Sequence, residues 1–297
     1  MKKVLLITLA IIGLATAALA VFLFGPNRIV SKQEVKAKLS LPSSHFINWK
    51  GGEIHYTDTG SGQVVLMIHG YASSLRHFDS LAVIMSKHYR VVRVDLPGFG
   101  MSDFPEIKGG GKEVAAMFRE FMPFFIDQLH TDSLYLIGNS LGGWISWELA
   151  DTDTARVKKV VLLASAGYEM DHIIADLMPP SSADFIRLMS HRGFPLKLSE
   201  GGVDRCMADP TKVPHQTLVD ANVFMNREGN MAALLKMVED VAPADTTKIL
   251  HVPCPVLVIW GKQDQIIPVA HAEKFRRDLQ KGRIILYDQC GHFPQIE

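Results

Sequence analysis

The sequence has little cysteine and no surplus of charge of either sign. Its three cysteines, Cys206, Cys254 and Cys290, are far apart and odd in number, so they suggest neither a disulfide framework nor a metal site. Lys and Arg total 31, equal to the 31 Asp and Glu, and no repeat or low-complexity segment is apparent. This balance gives no indication of a nucleic-acid partner or a strongly charged substrate.

The composition that remains is that of an ordinary globular protein. Apolar residues make up 47% and charged residues 21% of the 297 positions. A chain of this length, less its apolar N-terminus, suits one large domain or a core with an insertion.

The N-terminus is the one long apolar stretch. After a short polar start at 1–3, residues 4–24 carry no charge, and as a helix they would measure roughly 30 Å, the thickness of a bilayer core. Ala18-Leu19-Ala20 resembles a signal cleavage site, but the apolar run continues beyond it. We therefore predict an uncleaved, single-pass membrane anchor rather than a secreted protein, with its sidedness undecided.

Residues 25–44 are predicted to be a polar linker, and 45–297 to be a folded domain. A hairpin is expected around Gly51-Gly52. Continuous apolar strands then alternate with helices, which indicates an α/β fold with a mostly parallel sheet covered on both faces. The predicted strands are 64–68, 90–94, 133–137, 160–163, 256–260 and 283–287, and the predicted helices are 75–87, 112–129, 143–150 and 269–279.

The strand signal disappears over about 166–245. This stretch is helical in composition and holds seven of the 13 methionines. We predict a helical cap inserted into the sheet domain over its carboxyl edge. Flexible methionine side chains suit a surface that accepts an acyl chain, although any single one is better explained as filling the core of the cap itself.

The pentapeptide from Gly138 to Gly142 reads Gly-Asn-Ser-Leu-Gly, between a predicted strand and a predicted helix. In this context G-x-S-x-G predicts a nucleophile elbow, in which the serine takes a backbone angle that most residues avoid. The two glycines let the strand and the helix approach closely. Ser140 is therefore the predicted nucleophile.

A serine nucleophile needs a base and a group that orients the base. On this fold these residues follow later strands, in the chain order serine, acid, histidine. Asp264 follows the strand ending at Trp260, and His292 follows the final strand, so we predict them to be the acid and the base. Asp288 is a weaker candidate for the acid because it is so close to His292 in sequence.

The negative charge of a tetrahedral intermediate requires two hydrogen-bond donors. We predict the backbone N–H of Leu141, at the start of the elbow helix, and that of Tyr71, after the turn at Gly70. His69 is expected to orient the turn through a hydrogen bond to the backbone rather than to act as the base.

Taken together, these motifs resemble the α/β-hydrolase superfamily from about residue 45 to the end. Within it the chain looks most similar to membrane-anchored monoacylglycerol lipases and related bacterial lipases and esterases. The resemblance implies hydrolysis of a lipid-like ester through an acyl-enzyme, without a cofactor. It implies that Ser140, Asp264 and His292 are the catalytic triad. It also implies that the N–H groups of Tyr71 and Leu141 are the oxyanion donors. The motifs are His69-Gly70-Tyr71, the loop 95–102, the elbow with Gly143, Trp260-Gly261-Lys262-Gln263-Asp264 and Gly291-His292-Phe293-Pro294.

Two departures keep alternatives open. The family carries a further helix after its histidine loop, so a chain that stops at Glu297 is expected to be a fragment or to brace His292 poorly. Gly-Asn-Ser also occurs in meta-cleavage C–C hydrolases, although they usually have tryptophan where Phe293 stands. The alternatives to an esterase are therefore such a C–C hydrolase and a ligand-binding relative of weak activity.

Overall fold

An eight-stranded sheet forms the centre of the protein in the computed structural model, which describes residues 8, 11–14, 16, 28–169, 180–239 and 244–297. The strands are β1 (Ser44–Trp49), β2 (Gly52–Thr59), β3 (Val64–Ile68), β4 (Arg90–Val94), β5 (Leu134–Asn139), β6 (Val157–Leu163), β7 (Val256–Gly261) and β8 (Gly282–Tyr287). Their order is β1-β2-β4-β3-β5-β6-β7-β8, parallel from β4 to β8 and antiparallel at β1 and β2. The predicted α/β fold with a mostly parallel sheet is confirmed.

Strand β3 shows why the sheet is buried on both faces. All five of its residues are apolar and buried, and successive side chains point to opposite faces. Val64, Leu66 and Ile68 join the larger core, whereas Val65 and Met67 join a smaller core on the other face.

Helices surround this sheet, and the hairpin before it closes as predicted. Lys50 and Gly51, which connect β1 and β2, both have positive φ, at 50° and 81°, as tight hairpin turns require. The helices are α1 (Lys32–Leu39), α2 (Asp79–Met85), α3 (Gly111–Gln128), α4 (Leu141–Thr152), α5 (Pro180–Arg192), α6 (Leu196–Cys206), α7 (His215–Met225), α8 (Asn230–Val238) and α9 (Ala270–Asp278).

Four of these helices, α5 to α8, lie between β6 and β7 along the chain. Met189, Met231 and Met237 from this stretch are buried in the main core, so these methionines pack inside the protein. Two parts of the predicted cap, 170–179 and 240–243, lie outside the described residues.

Part of the predicted linker is helical. Helix α1 begins after Ser31, whose hydroxyl accepts a hydrogen bond from the Glu34 N–H, an ordinary N-cap. Val35 is its one buried residue and packs in a small cluster with Phe224 of α7. A single buried apolar residue explains why the hydropathy pattern predicted no helix here.

The predicted single-pass membrane localisation, with its anchor over residues 4–24, requires correction. No helix among the described residues is both long enough and apolar enough to cross a bilayer. A span needs about 20 consecutive apolar residues, and the longest run described within this segment is 11–14. The rest of the segment, apart from residues 8 and 16, lies outside the described residues.

Candidate active site

Ser140 lies at a sharp turn between β5 and α4. Its backbone has φ 53° and ψ −114°, a conformation that costs a non-glycine residue free energy and recurs at functional sites. The turn is tight because a Cβ atom on Gly138 would lie 2.2 Å from the Gly142 carbonyl oxygen, and one on Gly142 would lie 2.0 Å from the Ile68 carbonyl oxygen. Glycine at both positions is therefore a steric requirement of this elbow.

Replacement of Gly138 by alanine should damage the fold. The added Cβ would meet the Gly142 carbonyl oxygen and the Ser146 hydroxyl at 2.2 and 2.3 Å, so we expect a loss of about 3 kcal/mol in the free energy of unfolding. Gly201→Ala is the control, because in helix α6 the new Cβ meets no heavy atom within 4 Å. This substitution should raise the free energy of unfolding by about 0.5–1 kcal/mol. Urea unfolding measures both, and equal stabilities would contradict the steric argument.

His292 and Asp264 form a buried hydrogen-bonded pair. The imidazole Nδ1 lies 2.8 Å from Asp264 Oδ2. The other carboxylate oxygen, Oδ1, accepts the backbone N–H groups of Ile266 and Ile267 at 2.8 and 2.9 Å. Asp264 is therefore held from two sides, and it fixes the plane of the His292 ring. Asp288, the weaker candidate, instead pairs with Lys262, and its side chain is 81% exposed.

The backbone of His292 is anchored beside the elbow. Asn139 Nδ2, one residue before Ser140, donates to the His292 carbonyl oxygen at 3.1 Å and to that of Leu163 at 3.0 Å. The His292 N–H donates to the Cys206 carbonyl oxygen at 2.6 Å. In the part of the chain that the structure describes, no hydrogen bond joins the Ser140 hydroxyl directly to His292, so Asn139 is the link between the elbow and the histidine loop.

The histidine loop is braced by Glu297. One carboxylate oxygen accepts the Gly291 N–H at 2.6 Å, and the other accepts the N–H groups of Ala208 and Asp209 at 2.9 and 3.3 Å. A carboxylate that receives three backbone donors ties this loop to the segment after α6. The predicted weak bracing of His292 is therefore not what the structure shows.

Two backbone N–H groups near Ser140 are available for an oxyanion. A Cβ on Gly70 would lie 3.1 Å from the Ser140 Cβ, which places the loop after β3 against the elbow. Among the described residues, neither the Tyr71 N–H nor the Leu141 N–H donates to another protein group. Leu141 also begins α4, where the helix dipole favours negative charge. Both predicted donors thus have unused N–H groups, one at the start of α4 and one in the loop that lies against the elbow.

His69 orients the loop that carries Tyr71. Its Nε2 accepts the Leu96 N–H at 3.0 Å, so the proton is on Nδ1, which donates to the Gly70 carbonyl oxygen at 2.8 Å. Burial lowers the pKa of His69, which keeps the ring neutral. This is the backbone-orienting role expected from the sequence.

Asp95 fixes the same loop from the other side. Its carboxylate accepts the N–H groups of Leu75 and Met101 at 2.8 and 2.9 Å and bonds to His55 Nδ1 at 2.7 Å. Burial alone would raise the pKa of Asp95, but the hydrogen bond and charge of His55 hold it below its usual value. The conformation of the 71–75 loop therefore depends on an ionised group outside the predicted site.

The Tyr71 side chain joins this loop to α8. Its hydroxyl donates to the Leu234 carbonyl oxygen at 3.0 Å. We expect Tyr71→Phe to cost about 1 kcal/mol of stability and to lower kcat about three- to tenfold, because the N–H that it positions would move. Tyr168→Phe is the control, since that hydroxyl bonds to Asp278 and should affect stability alone. Equal kcat for the two variants would contradict this coupling.

The cysteines near His292 are poor nucleophiles. Burial raises the pKa of Cys206 and of Cys290 to about 12 in each case. Both thiols are therefore protonated at neutral pH, which leaves Ser140 as the candidate nucleophile at this edge of the sheet.

A small cavity lies next to the 71–75 loop. It is bounded by residues 72–74, by the turn 98–100 and by α7 and α8. None of the described residues that line it is Lys, Arg, Asp or Glu. Arg227 is nearby but buried, and it pairs with Asp103 at 2.6 Å. The residues that line the cavity are Ala72, Ser73, Ser74, His77, Gly98, Phe99, Gly100, Ala221, Phe224, Met225, Asn230 and Leu234.

Three residues of this region, Asn139, Glu297 and His77, were not predicted from the sequence. Asn139 carried a signal, because it stands inside the elbow motif. Glu297 carried no pattern that distinguished it from a surface carboxylate. His77 was one histidine among 12 and followed no predicted strand.

The sequence model of the Alpha/beta hydrolase family matches residues 65–297. A 2-hydroxy-6-oxo-6-(2'-aminophenyl)hexa-2,4-dienoic acid hydrolase of Metapseudomonas resinovorans is 28% identical over 264 residues, 85% of each chain. A 2-hydroxymuconate semialdehyde hydrolase of Pseudomonas sp. strain CF600 is 28% identical and covers 81% of this chain and 84% of its own. The crystal structure of a membrane phospholipase A, a bacterial virulence factor, superposes with TM-score 0.74 at 20% identity, covering 100% of this chain and 94% of its own.

These relatives change one expectation. The resemblance to monoacylglycerol lipases is not supported at the level of sequence, because the curated relatives that match are mostly meta-cleavage hydrolases. Likeness to the phospholipase shows a shared fold.

Proposed function

The chain belongs to the Alpha/beta hydrolase family, and we propose that it is a serine hydrolase that cleaves a carbon–carbon bond in a dienoic keto acid of the meta-cleavage type. The observation that carries this proposal is the set of relatives, whose names describe hydrolysis of 2-hydroxy-6-oxo-dienoates. The arrangement of Ser140, His292 and Asp264 supports it, because the same three groups serve any acyl transfer to water.

In the first half of the proposed reaction, Ser140 Oγ attacks the ketone carbon at position 6 while His292 Nε2 takes the hydroxyl proton. Asp264 holds Nδ1–H of the ring and stabilises the imidazolium that forms. The N–H groups of Tyr71 and Leu141 bind the oxyanion. The bond between carbons 5 and 6 then breaks and leaves an acyl group on Ser140.

The departing carbon is stabilised by the substrate itself. In the 2-oxo tautomer of such an acid, the electron pair left on carbon 5 is conjugated through the adjacent double bond to the 2-oxo group. The imidazolium of His292 gives its proton to this fragment, and the neutral ring then activates the water that hydrolyses the acyl-enzyme. The chain need supply only the nucleophile, the base and the oxyanion donors for this route.

Ester hydrolysis is the second candidate, and the cavity favours it. A dienoic acid carries a carboxylate, yet no cationic side chain is found among the described residues that line the cavity, and the adjacent Arg227 is already paired with Asp103. A neutral acyl chain would meet Phe99, Phe224 and Leu234 without needing a countercharge.

One pair of assays decides between carbon–carbon bond hydrolysis and ester hydrolysis. The kcat/KM for 2-hydroxy-6-oxo-6-phenylhexa-2,4-dienoate is compared with that for p-nitrophenyl hexanoate on the same preparation. We expect the dienoate to be preferred by at least about tenfold, which corresponds to about 1.4 kcal/mol of transition-state stabilisation. Turnover of the ester alone would establish the second candidate. If neither compound nor any other ester is hydrolysed, the result would favour a ligand-binding relative and overturn both candidate functions.

A further inference from the structure

His77 has hydrogen-bonding capacity that the folded chain does not use. Its Nδ1 is buried and has no partner. Within the described ranges its side chain makes no hydrogen bond at all, although it lines the cavity and is only partly exposed. A buried polar atom without a hydrogen-bond partner lowers the stability of the folded protein, so its presence in a native structure calls for a reason.

The other polar side chains that line the cavity, those of Ser73, Ser74 and Asn230, each make at least one hydrogen bond. Asn230 donates to the carbonyl oxygens of Gly100 and Phe224, and its own oxygen accepts from Arg227. The Ser73 hydroxyl makes one long hydrogen bond of 3.4 Å to the Ser74 carbonyl oxygen. Among the described residues that line this cavity, His77 is therefore the polar side chain that makes no hydrogen bond.

The position of His77 connects the cavity with the proposed triad. Its ring packs edge to face against Phe293, with centroids 4.8 Å apart, and Phe293 directly follows His292. Its own segment, Leu75–Phe78, is pinned at Leu75 by Asp95. A group in contact with His77 would thus lie beside the histidine loop, at the end of the loop that carries Tyr71.

The charge state of His77 limits what it can bind. Burial lowers its pKa to about 4, and the positive charges on His69 and His292 when protonated act in the same direction, against the opposing effect of Asp79. The ring is therefore neutral at neutral pH and offers one N–H donor and one nitrogen acceptor. A neutral imidazole suits an uncharged oxygen better than a group that needs a countercharge.

We propose that His77 is a specificity-determining residue that binds an uncharged oxygen of the substrate, a carbonyl or a hydroxyl, placed away from the bond that is cleaved. The proposal rests on the proposed role of Ser140 as nucleophile. It applies to a dienoic acid, through its 2-oxo or 2-hydroxy oxygen, and equally to an ester that carries a hydroxyl or keto group.

The test uses p-nitrophenyl alkylphosphonates, which need no knowledge of the natural substrate. Ser140 Oγ forms a bond to phosphorus, its proton passes to His292, and p-nitrophenolate leaves. A series in which one CH2 of the alkyl chain is replaced by C=O at successive positions locates the oxygen that the cavity recognises. We expect one member of the series to react about three- to tenfold faster than its hydrocarbon parent, the effect of one neutral hydrogen bond.

Variants of His77 assign this preference to the residue. His77→Leu should lose the preference for the keto probe, measured as the ratio of the rates with the keto probe and with its parent on the same variant. Its melting temperature should not fall, because the unpaired nitrogen is gone. His77→Gln keeps a donor and an acceptor and should retain part of the preference. His88→Leu, at an exposed position, is the matched control and should behave as wild type.

Each outcome bears on one of the two proposals. Equal rates for all keto probes and their parent, or a preference that survives in His77→Leu, would overturn the role of His77 and leave that of Ser140 intact. Failure of every probe to release p-nitrophenolate would overturn both. If His77→Leu does not fold, the imidazole ¹⁵N resonances of His77 in the wild type decide: a shift on reaction with the preferred probe supports the hydrogen bond, and no shift refutes it.

Discussion

Ser140→Ala should abolish hydrolysis and covalent labelling by a fluorophosphonate probe. The variant lacks the atom that attacks the substrate in the proposed mechanism, and by analogy with other serine hydrolases we expect kcat to fall by about 10⁵- to 10⁶-fold. The oxyanion donors remain, so water can still attack slowly in the same site. Labelling should vanish altogether, because no bond to phosphorus can form.

The structure supplies a control on the same helix. Ser146 is buried in α4, where its hydroxyl donates to the Gly142 carbonyl oxygen at 2.7 Å. Ser146→Ala loses one hydroxyl at a comparable depth but should keep both labelling and turnover. Intact-mass spectrometry after probe treatment gives the stoichiometry for each variant. Labelling of Ser140→Ala at the wild-type rate would place the nucleophile elsewhere and end the serine-hydrolase proposal.

Much of this site could be predicted because its members follow local patterns. The strand, turn and helix around Ser140 lie within one short segment, and Gly138 and Gly142 reveal the turn by their type. Asp264 follows the largely buried strand β7 and His292 follows the final strand, β8, and parallel strands bring such positions to one edge of the sheet. Local hydropathy and turn residues were sufficient for these inferences.

The features that the sequence did not predict are contacts between residues far apart in the chain, or the hydrogen bonding of a single side-chain atom. Asn139 and the His292 carbonyl are 153 positions apart, and only packing of β5 against the histidine loop brings them together. Glu297 stabilises the same loop through three backbone donors, which have no signature in the sequence. The missing partner of His77 Nδ1 is visible only once its surroundings are known.

Substrate preference could not be predicted for a related reason. It depends on which side chains of α7 and α8 meet the turn at 98–100, and helical composition does not specify this. The sequence suggested an acyl-chain surface from methionine content. Met225 lines the cavity, whereas Met189, Met231 and Met237 are buried in the core. Hydrolase chemistry is thus more readily predicted than the compound on which it acts.

Asp264→Asn should lower kcat by about 10⁴-fold while leaving the fold intact. Oδ1 of Asp264 accepts two backbone N–H groups, from Ile266 and Ile267. An asparagine must place its oxygen there, because an NH2 group would oppose two donors. Its NH2 group then faces His292 Nδ1 and donates a hydrogen bond to it. Because Nδ1 must be unprotonated to accept this bond, the proton of the neutral ring moves to Nε2. A protonated Nε2 cannot take the hydroxyl proton of Ser140.

The expected loss of activity depends on the tautomer of His292, so the tautomer should be measured together with the rate. Imidazole ¹⁵N spectra of the wild type should show His292 protonated at Nδ1, and those of Asp264→Asn should show it protonated at Nε2. Asp288→Asn removes the same charge from an exposed carboxylate that pairs only with Lys262, and it should change neither spectrum nor kcat. If Asp288→Asn were the inactive variant, the acid of the triad would be Asp288. If Asp264→Asn kept full activity with an Nε2 proton, His292 could not be the base.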